Sequence, residues 1–283
     1  MSEIAKPVWF ITGCSTGFGR ELARHTLSLG YPTVVTARNP AQLEDFVMEF
    51  GDTALVLKLD VTKQADIDAA IAVALERFGR IDVLVNNAGI GYFGSLEESD
   101  LAEVHKMFDI NVWGLTAMTR AVLPQMRAQR SGTIVNISSI GGLRAPPSVS
   151  FYTATKFAVE ALSESLSQEV APLGLKVLIV EPGPFRTDWA GRSANEAPQT
   201  IAAYRETAGV RQGQIRGNSG KQPGDPVRAA QAIVKAVEAD NPPLRLLLGK
   251  AALEGARIKL TQLAQDFDAW AAVTEGADYP EGQ

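Results

Sequence analysis

Tyr152 and Lys156 stand four residues apart in the run Phe151-Tyr-Thr-Ala-Thr-Lys156. On a helix that spacing puts both side chains on one face, with an ammonium beside a phenol. A free phenol ionises near pH ~10, and a fixed positive charge favours its phenolate and lowers that value. The pair therefore reads as an acid-base group built from tyrosine. Ser138 and Ser139 precede it, at the end of an apolar run, and offer a hydroxyl that can polarise a carbonyl oxygen. Alternation along a strand sends these two serines to opposite faces, so only one can point at the tyrosine.

A second chemical stretch lies near the start, Thr12-Gly13-Cys14-Ser15-Thr16-Gly17-Phe18-Gly19. It follows the apolar run Val8 to Thr12 and precedes helical spacing from Phe18 to Leu29. Glycines at such a turn let a pyrophosphate approach the amides of a helix N-terminus. The spacing is GxxxGxG, so a tight strand-to-helix turn is the plainer alternative. Thr36-Ala37-Arg38 closes the next strand, where an acid would take ribose hydroxyls and an arginine the 2′-phosphate of NADP. No acid follows until Glu44, so NADP(H) is favoured over NAD(H), with a solvated arginine as the alternative. Asp60-Val61 closes the third strand, and its carboxylate suits an adenine amino group or a simple turn. Asn86-Asn87-Ala88-Gly89 closes the fourth with residues small enough to admit a cofactor.

The elements that must position these groups alternate. Strands are expected at 33–37, 54–59, 83–85, 133–137 and 176–180, with helices at 41–49, 64–77, 100–110, 112–129 and from Tyr152 to about 171. Strands apolar on both faces imply a parallel sheet covered by helices on each side. Residues 183–225 are rich in Gly, Pro and small polar residues, hold one plausible helix near 200–208, and read as a lid. A helix capped by Asp225 and Pro226 runs to Glu238, a last strand covers 244–248, and a terminal helix covers 251–270 before a frayed acidic tail. The organisation expected is one dinucleotide-binding and catalytic domain over 1–250, then a C-terminal helix and tail over 251–283.

Composition narrows the function classes. Of 283 residues 46% are hydrophobic, and 32 acids against 27 bases give a net charge of -5, which argues against nucleic acid. One cysteine excludes an intrachain disulfide, and with two histidines it offers no usual metal set. His25 and His105 read as packing or surface residues, and Cys14 as a small buried filler. No run reaches the roughly 18 apolar residues of a membrane span, and the N-terminus lacks the length of a signal peptide. A cytoplasmic protein is expected.

Taken together, TGxxxGxG at Thr12 to Gly19, Asn86 to Gly89, Tyr152 with Lys156, and Pro182-Gly183 with Thr187 resemble the short-chain dehydrogenase/reductase family in its single-domain branch. The resemblance implies a Rossmann-type doubly wound α/β fold with a seven-stranded parallel sheet. It further implies hydride transfer between a nicotinamide and a carbonyl or secondary alcohol. Tyr152 then matches the acid-base residue, Lys156 the residue that lowers its pKa and holds the ribose, Ser139 the polarising serine, and Asn111 an asparagine that kinks a helix in the proton relay. The implied cofactor contacts are Gly13, Ser15, Thr16, Gly17, Phe18, Gly19, Arg38, Asp60, Val61, Asn87, Ala88, Gly89, Tyr152, Lys156, Pro182, Gly183, Phe185 and Thr187. The resemblance also implies a homodimer or homotetramer through the helices at 112–129 and 151–171. Apolar wall residues Ile90, Tyr92, Phe93, Leu143, Pro146, Val149, Phe185 and Trp189 suggest a hydrophobic substrate. The alternatives are an NAD-dependent alcohol dehydrogenase and a catalytically silent NADP-sensing regulator; the intact Tyr152, Lys156, Ser139 and Asn111 argue against the regulator.

Overall fold

The computed structural model describes residues 6–279. Along the chain run β1 (Trp9–Ile11), α1 (Gly17–Ser28), β2 (Thr33–Ala37), α2 (Glu44–Phe50), β3 (Ala54–Lys58), α3 (Gln64–Phe78), β4 (Val83–Asn86) and β5 (Gly91–Phe93). There follow α4 (Leu101–Phe108), α5 (Leu115–Gln129), β6 (Gly132–Ile137), α6 (Ser150–Val170), β7 (Leu175–Pro182) and β8 (Ala194–Glu196). The chain closes with α7 (Val210–Gly217), α8 (Pro226–Val237), β9 (Arg245–Leu248) and α9 (Lys250–Glu275).

Seven strands form one sheet in the order β3-β2-β1-β4-β6-β7-β9, every pair parallel. Central β1, β2 and β4 are buried on both faces, whereas edge strands β3 and β9 are mostly half-buried. That is why the inner strands carry near-continuous apolar runs, such as Trp9-Phe10-Ile11 and Val83-Leu84-Val85, rather than alternating ones. Trp9 and Ile11 meet Leu22 and Leu27 of α1 and Ile233 of α8 on one face. Phe10, between them, meets Ile67 and Ile71 of α3 and Met118 and Val122 of α5 on the other. Every connection between neighbouring strands is therefore a helical crossover, and the order reverses between β1 and β4. At such a reversal the two outgoing loops diverge and leave a crevice beyond the strand ends.

Four features depart from the sequence expectation. The helix expected at 112–129 is joined to α4 by a π-helical turn over Asp109–Gly114, so α5 begins at Leu115. Gly114 sits against Val61 there: a Cβ on it would lie 2.6 Å from Val61 Cγ2. In the segment expected to be mostly loop, β8 pairs in parallel with β5 as a separate two-stranded sheet. There too, a 3-10 turn (Ala202–Tyr204), a π-helical turn (Arg205–Gly209) and α7 follow one another, so helical structure extends to Gly217 rather than ending near 208. Three-residue strands and a helix carrying Gly213 and Gly217 have weak local propensity, and contacts distant in sequence stabilise them. The terminal helix runs on to Glu275, into the expected tail, whose last residues 280–283 lie outside the described residues.

Candidate active site

The glycine turn is fixed from behind by the end of β4. Thr12 Oγ1 accepts from the backbone amides of Asn87 and Ala88, at 2.9 and 3.0 Å, and donates to Val85 O. Asn87 Nδ2 donates to Thr12 O and Gly13 O, at 2.8 and 2.9 Å. The turn is so tight against this clamp that a Cβ on Gly19 would lie 2.3 Å from Asn87 Nδ2, and one on Gly13, at φ +71°, 2.9 Å from Ala88 Cα. Only glycine fits at these two positions. Gly17 also has positive φ, +60°, and Thr16 begins α1 without a side-chain cap. The first amides of α1 thus face the crevice beside Ser15, Thr16, Gly17 and Phe18.

A single cleft of about 1520 Å³ runs from Arg38, Asp60 and Val61 across this turn, past Ala88 and Gly89, to Ser139, Tyr152 and Lys156. Pro182, Gly183, Phe185 and Thr187 line it from the end of β7 onward. Its size, the amides of α1 and the glycine surfaces suit an extended dinucleotide. Arg38 is exposed at one end and makes no ion pair among the described residues. Asp60 accepts from the backbone and hydroxyl of Thr62; burial works to raise its pKa, but those bonds, with Lys63 and Arg38, hold it below the usual carboxylate value. Gly19 and Asn111 lie behind the cleft wall rather than on it.

At the other end, β6 delivers Ser139 and α6 delivers Tyr152 and Lys156. Ser139 Oγ accepts from Gly141 N at 3.0 Å and lies close enough to the Tyr152 phenol to favour its ionised form. Ser138 points to the opposite side, buried, where a Cβ on Gly142 would meet both its Oγ and the Glu160 side chain. Lys156 Nζ lies 5.8 Å from the centre of the Tyr152 ring and donates to Ile137 O at 2.8 Å. Both side chains are buried, and Trp189 packs on the phenol ring with centroids 4.8 Å apart. Asn111, in the π turn, receives Ile90 N on Oδ1 and donates through Nδ2 to Ile90 O and Thr155 Oγ1. It ties the helix junction to the β4 exit and to α6 together.

One expectation is overturned here. Lysine proximity was expected to lower the phenol pKa, yet in the chain without cofactor burial pushes Tyr152 up to about 12, only partly opposed by Ser139. The same burial depresses Lys156 to about 8, partly opposed by Glu160. The reason is that Lys156 stands beside the ring, its proton engaged by Ile137, while removal from water penalises both charged forms. Two of the expected wall residues also go elsewhere: Tyr92 and Phe93 are buried under the small sheet, where Tyr92 Oη accepts from Asp100 N. Leu143 does not line the cleft, but Ile90, Pro146, Val149, Phe185 and Trp189 do.

The sequence reading passed over Thr12 as a clamp, although a polar β-branched residue ending an apolar strand is a signal. It also passed over a buried charged group behind Lys156. Arg245 of β9 bonds Glu160 and Glu164 of α6 and Glu181 of β7. Cys14 is buried, with its thiol pushed up to about 12 chiefly by burial, which suits a filler rather than a nucleophile.

Against known proteins, residues 7–198 match the short chain dehydrogenase family. The chain belongs to that family. This short-chain dehydrogenase is 38% identical over 264 residues to the oxidoreductase BOA17 of Botryotinia fuckeliana, spanning 93% of this chain and 96% of the relative. Its fold superimposes on a short-chain dehydrogenase of Streptomyces avermitilis with TM-score 0.91 and 43% identity, covering 97% and 100% of the two chains. A Burkholderia phymatum short-chain dehydrogenase/reductase solved with NAD follows at TM-score 0.82 and 28% identity, covering 94% and 97%. The short-chain dehydrogenase is accordingly an oxidoreductase.

Proposed function

We propose that this short-chain dehydrogenase is an NADPH-dependent reductase of hydrophobic ketones or aldehydes, with Tyr152 as its acid-base residue. The observation that carries the reading is the convergence of Ser139, Tyr152 and Lys156 at the closed end of a dinucleotide-sized cleft. The dinucleotide, when bound, supplies the hydride. The residues of the chain supply position and protons. Negative charge develops on the carbonyl oxygen during reduction, and the hydroxyls of Ser139 and Tyr152 stabilise it more in the transition state than in the ground state. Tyr152 then gives its proton to that oxygen. A phenol held neutral by burial up to about pH 12 is poised as the acid, the role that reduction requires. Lys156 holds the ribose, and Asn111 keeps Ile90, and with it the cleft wall, in register.

Arg38 favours NADP(H), because an exposed guanidinium without a carboxylate partner suits a 2′-phosphate better than ribose hydroxyls. Ile90, Pro146, Val149, Phe185 and Trp189 favour an apolar substrate. A cytoplasmic setting is in keeping with a single buried thiol, and none of the described helices is long and apolar enough to cross a membrane. Exposed Trp113, Phe157 and Leu162 beside or on α5 and α6 support a homo-oligomer through those helices.

The test is Tyr152→Phe assayed with NADPH and a panel of ketones. Turnover should fall ~100-fold or more while NADPH affinity is kept. A variant retaining a tenth of the wild-type rate would falsify the assignment.

A further inference from the structure

The helix α9 is 26 residues long, about 39 Å from end to end. Only its first turns pack on the body: Ala252, Gly255 and Ala256 are buried against the β7 exit and Arg144. From Arg257 onward the helix stands largely in solvent, with Leu260, Phe267 and Trp270 at 67%, 66% and 65% exposure. Leu260, Leu263, Phe267 and Trp270 follow one another at steps of three, four and three, in register with exposed Leu253 seven residues before Leu260. That is the seven-residue repeat of a helix seam made for another helix. A helix extending from the body draws most of its stability from such packing rather than from propensity.

We propose that this seam binds the same seam of a second copy of the chain, antiparallel, forming an interface separate from the α5 and α6 faces. Charge decides for a second copy. The exposed half of α9 carries its bases first, Arg257 and Lys259, and its acids later, Asp266 and Asp268. Among the described residues none of these four forms an ion pair; the pair within α9 is Lys250 with Glu254. When Leu260 stacks on Leu263 of the second copy, an antiparallel arrangement sets Lys259 beside Asp266 of that copy, and the two-fold axis repeats the pair. A parallel arrangement would place base on base and acid on acid. Two-fold symmetry also closes the seam, so assembly stops at the pair. The acids disfavour an anionic membrane surface as the occupant.

The experiment measures self-association by sedimentation equilibrium in a Phe157→Glu background, which puts a charge alongside exposed Trp113 and Leu162 on the α5 and α6 faces and so weakens that interface against the one at α9. A dimer is expected to remain. Leu260→Glu with Phe267→Glu should weaken it more than ~100-fold, since two seam layers are lost in each copy. Lys259→Asp and Asp266→Lys should each weaken it about tenfold, having turned two attractions into repulsions, and the double reversal should restore it to within about threefold. The changed side chains project from the body, and an unchanged melting temperature checks that each variant is folded. Four outcomes overturn the proposal: a monomer in the Phe157→Glu background, association indifferent to the seam changes, no rescue by the double reversal, or wild-type binding to phosphatidylcholine vesicles that the seam changes abolish. Loss of the α6 contact alone leaves it standing.

Discussion

At the scale of single residues, burial governs the site. Tyr152 and Lys156 were expected to act on one another chiefly through charge, but removal from water raises the phenol and lowers the ammonium more than proximity compensates. Behind them Glu181, fully buried, is raised to about 7 by burial first and by the charge of Glu160 second, with Arg245 opposing. A glutamate in the unfolded chain ionises near pH ~4.3. Below that value both states carry the proton and its stabilising contribution is complete. Between there and pH 7 the folded chain keeps a proton that the unfolded chain has released, so stability declines as pH rises through this window. We expect Glu181→Gln, an isosteric neutral group, to flatten that decline, as read from melting temperatures between about pH 5 and 8. An unchanged slope would assign the decline to other groups.

At the scale of elements, one side chain gathers several stretches of the roof of the cleft. Arg216 of α7 donates to the carbonyls of Ala190, Gly191 and Ala194, pairs with Glu196 of β8 at 2.8 Å, and lies over the Phe93 ring. Local propensity in 190–217 is weak, so this arginine adds to the β5–β8 pairing and the bonds from Thr200 and Ile201 to Glu98 in ordering the segment. Charge-assisted hydrogen bonds contribute about 1.5–3 kcal/mol each, so Arg216→Ala should speed amide exchange across residues 190–217 at least ~10-fold. The seven-stranded sheet should exchange as before. Acceleration spread evenly over the chain would mean that the arginine supports the whole fold rather than the roof.

At the scale of the whole molecule, the crevice opens where β1 and β4 diverge and is completed by the ends of β2, β6 and β7, so a ligand in it bridges both sides of the sheet. Such a ligand stabilises the entire domain by linkage. NADPH at 100 times its Kd should contribute about 2.7 kcal/mol, a rise of roughly 5–10 °C in Tm for a domain of this size. Arg38→Asp should remove most of the NADPH shift and leave the NADH shift intact; equal losses with both would reduce Arg38 to a surface charge.

The sequence by itself determined the parallel sheet, since runs of Val, Ile and Leu too apolar for one wet face, separated by helical periods, admit no other class. It also placed Ser139 and Ser138 on opposite sides, because period two is a property of the strand alone, and it marked Gly13 and Gly19 where backbone approaches backbone. Only the tertiary structure decided the rest. The β5–β8 pair, the clamp of Thr12 by Asn87, the Glu160–Glu181–Arg245 group and the burial of Tyr92 and Phe93 each join residues far apart in the chain. Their energies come from hydrogen bonds and desolvation that no local pattern records. The ionisation of Tyr152 belongs with them: four-residue spacing sets its neighbour, but how much water the fold removes from the phenol sets its pKa.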